Sequence, residues 1–237
     1  MLTVAILAGG LATRLRPTTR TVPKSLLELN GEPFVVHQLR LLHASGVRRV
    51  VLCVGHLGEL IQRLIGDGSA FSLEMEYSFD GPVLLGTAGA VRNALPKLGE
   101  SFFVMYGDSY LSCDYSAIAH NFASANVLGM MTVFRNDGKW DASNVDFEGG
   151  KVIAYSKANR TTHMAHIDYG LGVFRKEAFQ DLPGDTPCDL ADVYADLLRR
   201  NQLAAFEVPE RFYEIGSPAG LAETAEFLAA RESKQPK

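Results

Sequence analysis

A short apolar strand that breaks into a glycine turn constrains this fold more than any other feature of the chain. Residues Val4–Leu7 form a run short and β-branched enough for a buried parallel strand, and Gly9-Gly10 follows almost directly. Ligands of open α/β sheets bind beyond the carboxyl ends of the strands, where glycines let phosphate groups approach the main chain. Arg14, Arg16 and Lys24 add positive charge to the same loop. The stretch therefore predicts a polyphosphate site at a sheet edge.

Strand and helix patterns alternate along the first half of the chain. The predicted buried strands after the first are 50–54, 74–79 and 102–106. The predicted helices are 33–44, 57–65 and 86–95. This alternation is typical of parallel strands covered by helices on both faces. We therefore predict an α/β fold with a Rossmann-like, doubly wound mixed sheet in a three-layer α/β/α arrangement.

The simple alternation gives way in the second half of the chain. Residues 144–147 and 151–155 flank Glu148-Gly149-Gly150 and predict a β-hairpin. The other elements predicted there are helices at 115–125, 189–200 and 218–230 and strands at 129–134 and 203–208. No Pro/Gly/Ser-rich linker or charge block divides the 237 residues. We therefore expect one domain over residues 1–237.

Charge and cysteine content exclude several classes of protein. The formal net charge of −4 argues against a nucleic-acid binder that depends on a basic surface. The three cysteines are far apart and form no C-x-x-C pair, so neither a zinc knuckle nor a disulfide framework is expected. The first residues lead straight into a strand, and no apolar run approaches membrane-spanning length. These features predict a cytoplasmic protein without a membrane partner.

Two familiar glycine motifs are absent from the first loop. A dinucleotide-binding turn needs G-x-G-x-x-G at the start of a helix, and residues 9–14 lack the third glycine. A nicotinamide-dependent oxidoreductase on this sheet type is therefore not expected. A P-loop needs G-x-x-x-x-G-K-[ST], but Lys24-Ser25 follows Val22-Pro23 instead.

The same loop resembles the signature of the sugar-1-phosphate nucleotidyltransferases. That signature is a strand followed by G-G-x-G-T-R-L-x-P-x-T and then P-K, and residues 4–24 match it apart from Ala12, which stands where the family has glycine. The resemblance extends to about residue 228. It implies a glycosyltransferase-A-like nucleotidyltransferase fold, with a nucleotide-binding half at 1–110 and a sugar-phosphate half at 111–237.

The resemblance also implies the charged residues of the site. Arg14 and Lys24 take the catalytic positions, where they would offset charge on the leaving phosphates. Asp108 follows a predicted buried strand and matches the metal-binding aspartate of the family's G-D motif. Glu214 takes the place of the aspartate in the closing motif W-x-D-[IV]-G-T-P. Carboxylates of this kind imply Mg²⁺ as the cofactor, because magnesium prefers carboxylate and phosphate oxygens.

A second glycine segment, Gly86-Thr87-Ala88-Gly89, matches the family's G-T-[AG]-G. From residue type alone, Thr87 is a reasonable helix N-cap, and the glycines permit close backbone approach. A plain helix start and a binding role are both open on that basis, and the resemblance favours binding. The implied nucleotide contacts are Leu7, Ala8, Gly9, Gly10, Leu11, Thr13, Gly86 and Thr87.

The implied sugar-phosphate contacts are Gly89, Lys157, Asp168 and Gly170. Lys157 takes the place of the lysine in the family's E-E-K-P segment, although Ser156 and Ala158 replace its neighbours. Asp168 stands where the family has asparagine. Its carboxylate accepts hydrogen bonds but does not donate as an amide does, so the sugar that fits should change.

The expected reaction transfers a nucleotidyl group from a nucleoside triphosphate to a sugar 1-phosphate and releases pyrophosphate. The segments PVLLGTAGAV and IGSP most resemble D-glycero-D-manno-heptose or mannose 1-phosphate guanylyltransferases, which favours GTP and a role in cell-surface polysaccharide synthesis. An N-acetylmuramate or other hexose 1-phosphate uridylyltransferase using UTP is the alternative. A catalytically inactive nucleotide-sugar sensing subunit is a third, allowed by the departures at Ser156, Asp168 and Glu214. The sequence leaves a homo-oligomer open.

Overall fold

The computed structural model describes residues 1–11, 13–15, 18–184 and 186–233. Its helices are α1 (Phe34–Ala44), α2 (Gly58–Ile65), α3 (Gly86–Ala94), α4 (Tyr115–Ser124), α5 (Leu190–Arg199) and α6 (Pro218–Glu232). Its strands are β1 (Thr3–Leu7), β2 (Glu28–Leu29), β3 (Glu32–Pro33), β4 (Arg49–Val54), β5 (Glu74–Phe79), β6 (Ser101–Tyr106), β7 (Ser109–Tyr110), β8 (Gly129–Arg135), β9 (Val145–Glu148), β10 (Lys151–Tyr155), β11 (His166–Arg175), β12 (Leu203–Glu207) and β13 (Tyr213–Glu214).

Nine strands of the described part of the chain form one mixed sheet. The order is β10-β9-β11-β6-β1-β4-β5, and β8 pairs with both β11 and β12. The central strands β6, β1, β4 and β5 are parallel, whereas β11 runs antiparallel to both β6 and β8. The carboxyl ends of β1, β4, β5 and β6 therefore lie at one edge of the sheet. This edge is where the predicted site residues are expected to meet.

Apolar side chains pack on both faces of this sheet. Along β1, Val4 and Ile6 point into one core cluster with α1, α2 and α4, and Ala5 points into a second cluster with α3 and α5. Because successive side chains of a strand face opposite sides, a buried strand such as β1 contributes residues to both clusters. Helix α6 packs on a third cluster with β7, β13 and α1. The predicted three-layer α/β/α fold is confirmed.

The predicted element positions also agree closely with the structure. The hairpin predicted around Glu148-Gly149-Gly150 is formed by β9 and β10, which pair antiparallel.

Ala12 and Arg16 of the first loop lie outside the described residues. Within the described ranges, no helix is both long and apolar enough to cross a lipid bilayer.

Candidate active site

An open cavity of about 240 Å³ lies at the carboxyl edge of the central strands. Its walls come from the end of β1, the turn after Pro23, the end of β4, the loop from β5 to α3 and the end of β6. The predicted residues among those that line it are Leu7, Ala8, Gly9, Gly10, Lys24, Gly86, Thr87 and Asp108. The fold thus brings together predicted residues from four separated segments.

The glycine turn after β1 is held by its two neighbouring strands. Ala8 N donates to Cys53 O at 2.8 Å, and Gly107 N donates to Leu7 O at 2.9 Å. A Cβ on Gly9 would lie 3.1 Å from Gly55 N, so the backbones of these two loops pack tightly there. A Cβ on Gly10 would meet nothing within 4 Å. Gly9 is therefore packed against Gly55, whereas Gly10 borders open space at the cavity wall.

Lys24 and Asp108 form an ion pair inside the cavity. Lys24 Nζ lies 2.7 Å from Asp108 Oδ2, and the two side chains are 17% and 30% exposed. Lys24 begins a 3₁₀ turn over Lys24–Leu26, and Asp108 follows β6. An ammonium group of this kind can contact phosphate oxygens, and a carboxylate oxygen is the type of ligand that hard cations such as Mg²⁺ prefer.

Glu214 lies next to Asp108 through the backbone, and its side chain is hydrogen-bonded to the residues at the start of α6. Strand β13 pairs Glu214 with Ser109 of β7, and Ile215 N donates to Asp108 O at 2.9 Å. The Glu214 carboxylate accepts hydrogen bonds from Gly216 N and from Ser217 Oγ at the start of α6. In this structure the two carboxylates predicted to hold metal therefore have different partners.

Arg14 and Leu11 lie outside the cavity lining. Both residues are exposed, and Arg14 belongs to a 3₁₀ turn over Thr13–Leu15. A Cβ on Gly216 would lie 3.0 Å from Arg14 Nη2 and close to the Glu214 carboxylate. The Arg14 guanidinium is thus at the Glu214 side of the site, while Lys24 is at the Asp108 side.

The second glycine segment packs against the loop that precedes α5. Gly86 has a φ of +75°, and a Cβ there would lie 2.5 Å from Cys188 O. Thr87 lies inside α3, and its Oγ1 accepts a hydrogen bond from Leu190 N at 2.7 Å. The predicted N-cap role of Thr87 is therefore wrong, because this hydroxyl joins α3 to α5. Gly89 is buried in α3, away from the cavity lining.

The other predicted sugar-phosphate residues gather around Tyr106 at the end of β6. Lys157 Nζ lies 5.7 Å from the centre of the Tyr106 ring, and a Cβ on Gly170 would lie 3.5 Å from Tyr106 Cδ2. Asp168 Oδ1 accepts from Gly170 N at 3.0 Å. Tyr106 also lines the cavity, and its buried hydroxyl has no partner among the described residues. These residues therefore lie close to the cavity, and the Tyr106 ring lies between them and the cavity.

Sequence reasoning missed Tyr106 and Asp80. Asp80 lines the cavity directly after β5, and its Oδ2 accepts from Leu85 N at 3.3 Å. Burial raises the pKa of the Asp80 carboxyl, and the Leu85 N–H opposes that rise. The signal was present in the sequence, because a carboxylate after a buried strand is the same pattern that pointed to Asp108.

Burial also raises the pKa of the Asp168 carboxyl above its ordinary value of 3.8. The Gly170 N–H, the charge of Lys157 and the Tyr155 hydroxyl oppose this rise, and the charge of Asp189 adds to it. Folding therefore favours the neutral carboxyl. The ionised form destabilises the folded chain above the folded-state pKa, and this penalty is absent below the unfolded-state pKa.

Replacing Asp168 with asparagine is thus expected to stabilise the fold at neutral pH. The amide oxygen can still accept from Gly170 N–H, and no buried charge remains. We expect the unfolding midpoint at pH 7 to rise by about 2–4 °C, for a gain of about 1 kcal/mol. Thermal unfolding between pH 4 and pH 8 tests this, since the gain should shrink toward pH 4. A gain that is equal at every pH would contradict it.

Comparison with known families supports the resemblance of the first loop. A family model described as nucleotidyl transferase matches residues 3–145. The N-acetylmuramate alpha-1-phosphate uridylyltransferase of Neisseria meningitidis is 28% identical over 238 residues, covering 95% of this chain and 97% of that protein. The mannose-1-phosphate guanylyltransferase of Mycobacterium tuberculosis is 29% identical over 181 residues, covering 75% of this chain and 50% of that protein.

Solved structures share the fold over nearly the whole chain. HddC from Yersinia pseudotuberculosis, solved in complex with GMP-PN, has a TM-score of 0.80 and 24% identity, covering 96% of this chain and 100% of that one. The inositol-1-phosphate CTP transferase from T. maritima has a TM-score of 0.81 and 23% identity, covering 100% of this chain and 98% of that one. At these identities the likeness concerns the fold alone.

Proposed function

The chain belongs to the nucleotidyl transferase family, and from that premise we propose that it joins a nucleoside triphosphate to a sugar 1-phosphate. One observation carries the proposal. Lys24 and Asp108, 84 residues apart, meet at 2.7 Å in a cavity walled by Gly9, Gly10 and Gly86. A cation and a hard oxygen ligand beside an open backbone turn are what a polyphosphate requires.

The reaction is an in-line attack of a sugar 1-phosphate oxygen on the α-phosphorus of the nucleotide. A new oxygen–phosphorus bond forms, the bond from the α-phosphorus to the bridging oxygen breaks, and pyrophosphate leaves with that electron pair. A phosphate monoester is already ionised at neutral pH, so no general base is required. Catalysis then consists mainly of positioning and of electrostatic stabilisation.

Different basic side chains would contact the phosphates of the nucleotide and the phosphate of the sugar. Lys24 lies in the cavity and would contact the phosphates of the nucleotide, while Arg14, on the Glu214 side, would offset charge on the leaving pyrophosphate. Lys157 would neutralise the incoming sugar phosphate. Its Nζ now lies 3.4 Å from Asp189 Oδ1, an exposed pair that a phosphate can replace at little cost.

The residues present fit a magnesium ion. The Asp108 carboxylate opens on the cavity, and the backbone of Glu214 lies beside it through the β7–β13 pairing. Within the described ranges no three acidic, histidine or cysteine side chains cluster. Magnesium commonly takes one or two protein carboxylates and fills its shell with phosphate oxygens and water. When bound there, the ion would supply positive charge to the reacting phosphates.

We propose guanine as the base, because Asp80 presents a carboxylate to the cavity. Asp80 Oδ2 lies 3.4 Å from the Cβ position of Gly9, so a base beside the glycine turn would be within its reach. A carboxylate only accepts hydrogen bonds. Guanine has two adjacent donors, N1–H and N2–H₂, that match its two oxygens. Uracil has one N–H between two carbonyl oxygens, which the carboxylate would repel.

The proposed sugar rests on the resemblance of two segments to known enzymes. D-glycero-D-manno-heptose or mannose 1-phosphate is favoured, because PVLLGTAGAV and IGSP resemble guanylyltransferases of those sugars. N-acetylmuramate or another hexose 1-phosphate with UTP is the alternative, supported by the similarity to the Neisseria meningitidis uridylyltransferase. Both assignments place the chain in nucleotide-sugar synthesis.

A substrate panel tests the proposed function. Pyrophosphate release would be measured with magnesium for GTP, UTP, CTP, ATP and dTTP, each paired with heptose, mannose, glucose and N-acetylmuramate 1-phosphates. We expect turnover with GTP and with heptose or mannose 1-phosphate. Folded protein that binds nucleotide but turns over no pair would refute these substrates and favour a sensing subunit or a sugar 1-phosphate outside the panel.

Replacing Asp80 with asparagine is expected to reduce the preference for GTP over UTP by about 10–100-fold. The amide presents one donor and one acceptor, which no longer match the paired donors of guanine. The measurement is kcat/KM for each nucleotide at a fixed sugar 1-phosphate. Asp67→Asn is the matched control, because that carboxylate also accepts a backbone N–H but lies away from the cavity. An unchanged ratio in Asp80→Asn would remove Asp80 from base selection.

A further inference from the structure

Two adjacent polar side chains are buried in the middle of an otherwise largely apolar helix. His37 and Gln38 of α1 are 5% and 0% exposed, and their helix packs its apolar face on the sheet. Burying an amide or an imidazole away from water is unfavourable unless hydrogen bonds compensate. The contacts of these two side chains therefore indicate what they stabilise.

Gln38 bridges the two ends of the turn that carries Asp108. Its Nε2 donates to Ser109 O at 2.8 Å and to Tyr106 O at 3.4 Å. Only a donor can face two carbonyl oxygens, so the orientation of the amide is set by chemistry. The residues between those two carbonyls are Gly107 and Asp108. The side chain thus joins helix α1 to both sides of the turn.

The same turn is held from two other directions. Gly107 N donates to Leu7 O at 2.9 Å, and Ile215 N donates to Asp108 O at 2.9 Å. A Cβ on Gly107 would lie 2.7 Å from Leu7 O, so the turn is pressed against β1. Gln38 adds a third attachment to this turn, from the helices that pack on the sheet.

Helix α1 also holds the segment that follows Lys24. His37 Nε2 donates to Leu29 O at 3.0 Å, and Phe34 N donates to Leu27 O at 2.9 Å. Leu27 N in turn donates to Lys24 O at 3.0 Å. One helix is therefore connected to both members of the Lys24–Asp108 pair.

We propose that Gln38 is a positioning residue for the reaction, an inference that rests on the proposed function. It touches no substrate. It holds the Gly107–Asp108 turn in place so that the Asp108 carboxylate stays in the cavity beside Lys24. Displacement of a reacting group by about 1 Å can lower turnover by about 10²-fold, so a small relaxation of this turn has a large effect on rate.

The first test measures the turn itself. Gln38→Met keeps the length of the side chain and removes the donor, and Thr132→Val is the matched control. Thr132 is fully buried, its hydroxyl donates to Leu171 O between β8 and β11, and neither residue lines the cavity. Both variants should lower the unfolding midpoint by about 2–4 °C. Amide hydrogen exchange should speed up at residues 106–110 in Gln38→Met and stay unchanged there in Thr132→Val.

The second test measures catalysis with the substrates that the panel identifies. Gln38→Met is expected to lower kcat by about 10–100-fold and to change the KM for nucleotide by less than about 3-fold, whereas Thr132→Val keeps kcat. Gln38→Glu should recover part of the loss, because burial favours the protonated carboxyl, which donates to Ser109 O. It also serves as the test if Gln38→Met does not fold.

The outcomes separate this inference from the proposed function. Wild-type protein that is inactive on the whole panel refutes the proposed substrates, and the exchange rates still decide whether Gln38 holds the turn. Unchanged exchange at residues 106–110, or unchanged kcat in an active enzyme, overturns the positioning role. Equal losses in Gln38→Glu and Gln38→Met also overturn it, because the donor would then not be the reason.

Discussion

Replacing Asp108 with asparagine is expected to lower turnover by about 10³-fold and to leave the fold intact. Asparagine has the same shape but no charge, so it neither holds magnesium well nor balances Lys24 at 2.7 Å. The pair is partly exposed, and such pairs contribute about 1 kcal/mol or less to stability. Steady-state pyrophosphate release with the best substrate pair and the thermal unfolding midpoint together measure this.

Asp114→Asn is the matched control for that variant. Asp114 caps helix α4, where its Oδ1 accepts from Ala117 N at 2.9 Å, and asparagine caps helices equally well. It should therefore keep both turnover and stability. If Asp108→Asn retained more than about a tenth of wild-type turnover, Asp108 would lose its place in the mechanism.

The central sheet could be predicted because its strands are buried on both faces. A run such as Val50–Val54 is short, apolar and β-branched, and the structure extends it by a single residue as β4. Helices with apolar residues on one face separate these runs, and that alternation restricts the chain to few arrangements. The glycine turn and the basic residues after the first of these strands predicted a polyphosphate site, and the family signature added the expected role of each residue.

Strand direction and order in the second half could not be read in the same way. Strand β11 is ten residues long and runs antiparallel between β6 and β8, with an irregular register between Asp168 and Gly172. An apolar run carries no local mark of its direction or of its neighbours. The gathering of Lys157, Asp168 and Gly170 around Tyr106 depends on this placement, so only the three-dimensional structure reveals it.

Side-chain roles that depend on tertiary contacts were also hidden. Thr87 has the residue type of a helix cap, yet its hydroxyl binds Leu190 N across two helices. Gln38 appears in the sequence as one polar residue in an amphipathic helix, but its side chain donates hydrogen bonds to two carbonyl oxygens about 70 residues away. Asp80 differs, because the rule applied to Asp108 would have found it. Local pattern therefore predicts where a site forms better than which side chains complete it.

Replacing Glu214 with glutamine is expected to lower turnover by about 10²-fold and to raise the magnesium concentration needed for half-maximal activity. The amide oxygen can still accept from Gly216 N, so the start of α6 should keep its structure and the unfolding midpoint should move by less than about 2 °C. What is lost is the negative charge on a residue whose backbone adjoins Asp108, and a divalent cation favours charged carboxylate ligands. Pyrophosphate release titrated with magnesium measures this.

The position of the Glu214 carboxylate makes a purely structural role the competing explanation. If Glu214 only braces α6, Glu214→Gln would behave as wild type in turnover and in magnesium dependence. Ser217→Ala provides the opposite case, because it removes the N-cap that accepts from Gly220 N at 3.0 Å. That variant should lower the midpoint by about 2–4 °C and keep most of the turnover. Loss of a metal ligand should lower turnover and leave the unfolding midpoint unchanged. Loss of a structural contact should lower the midpoint and leave turnover unchanged. Comparing Glu214→Gln with Ser217→Ala therefore assigns the role of Glu214.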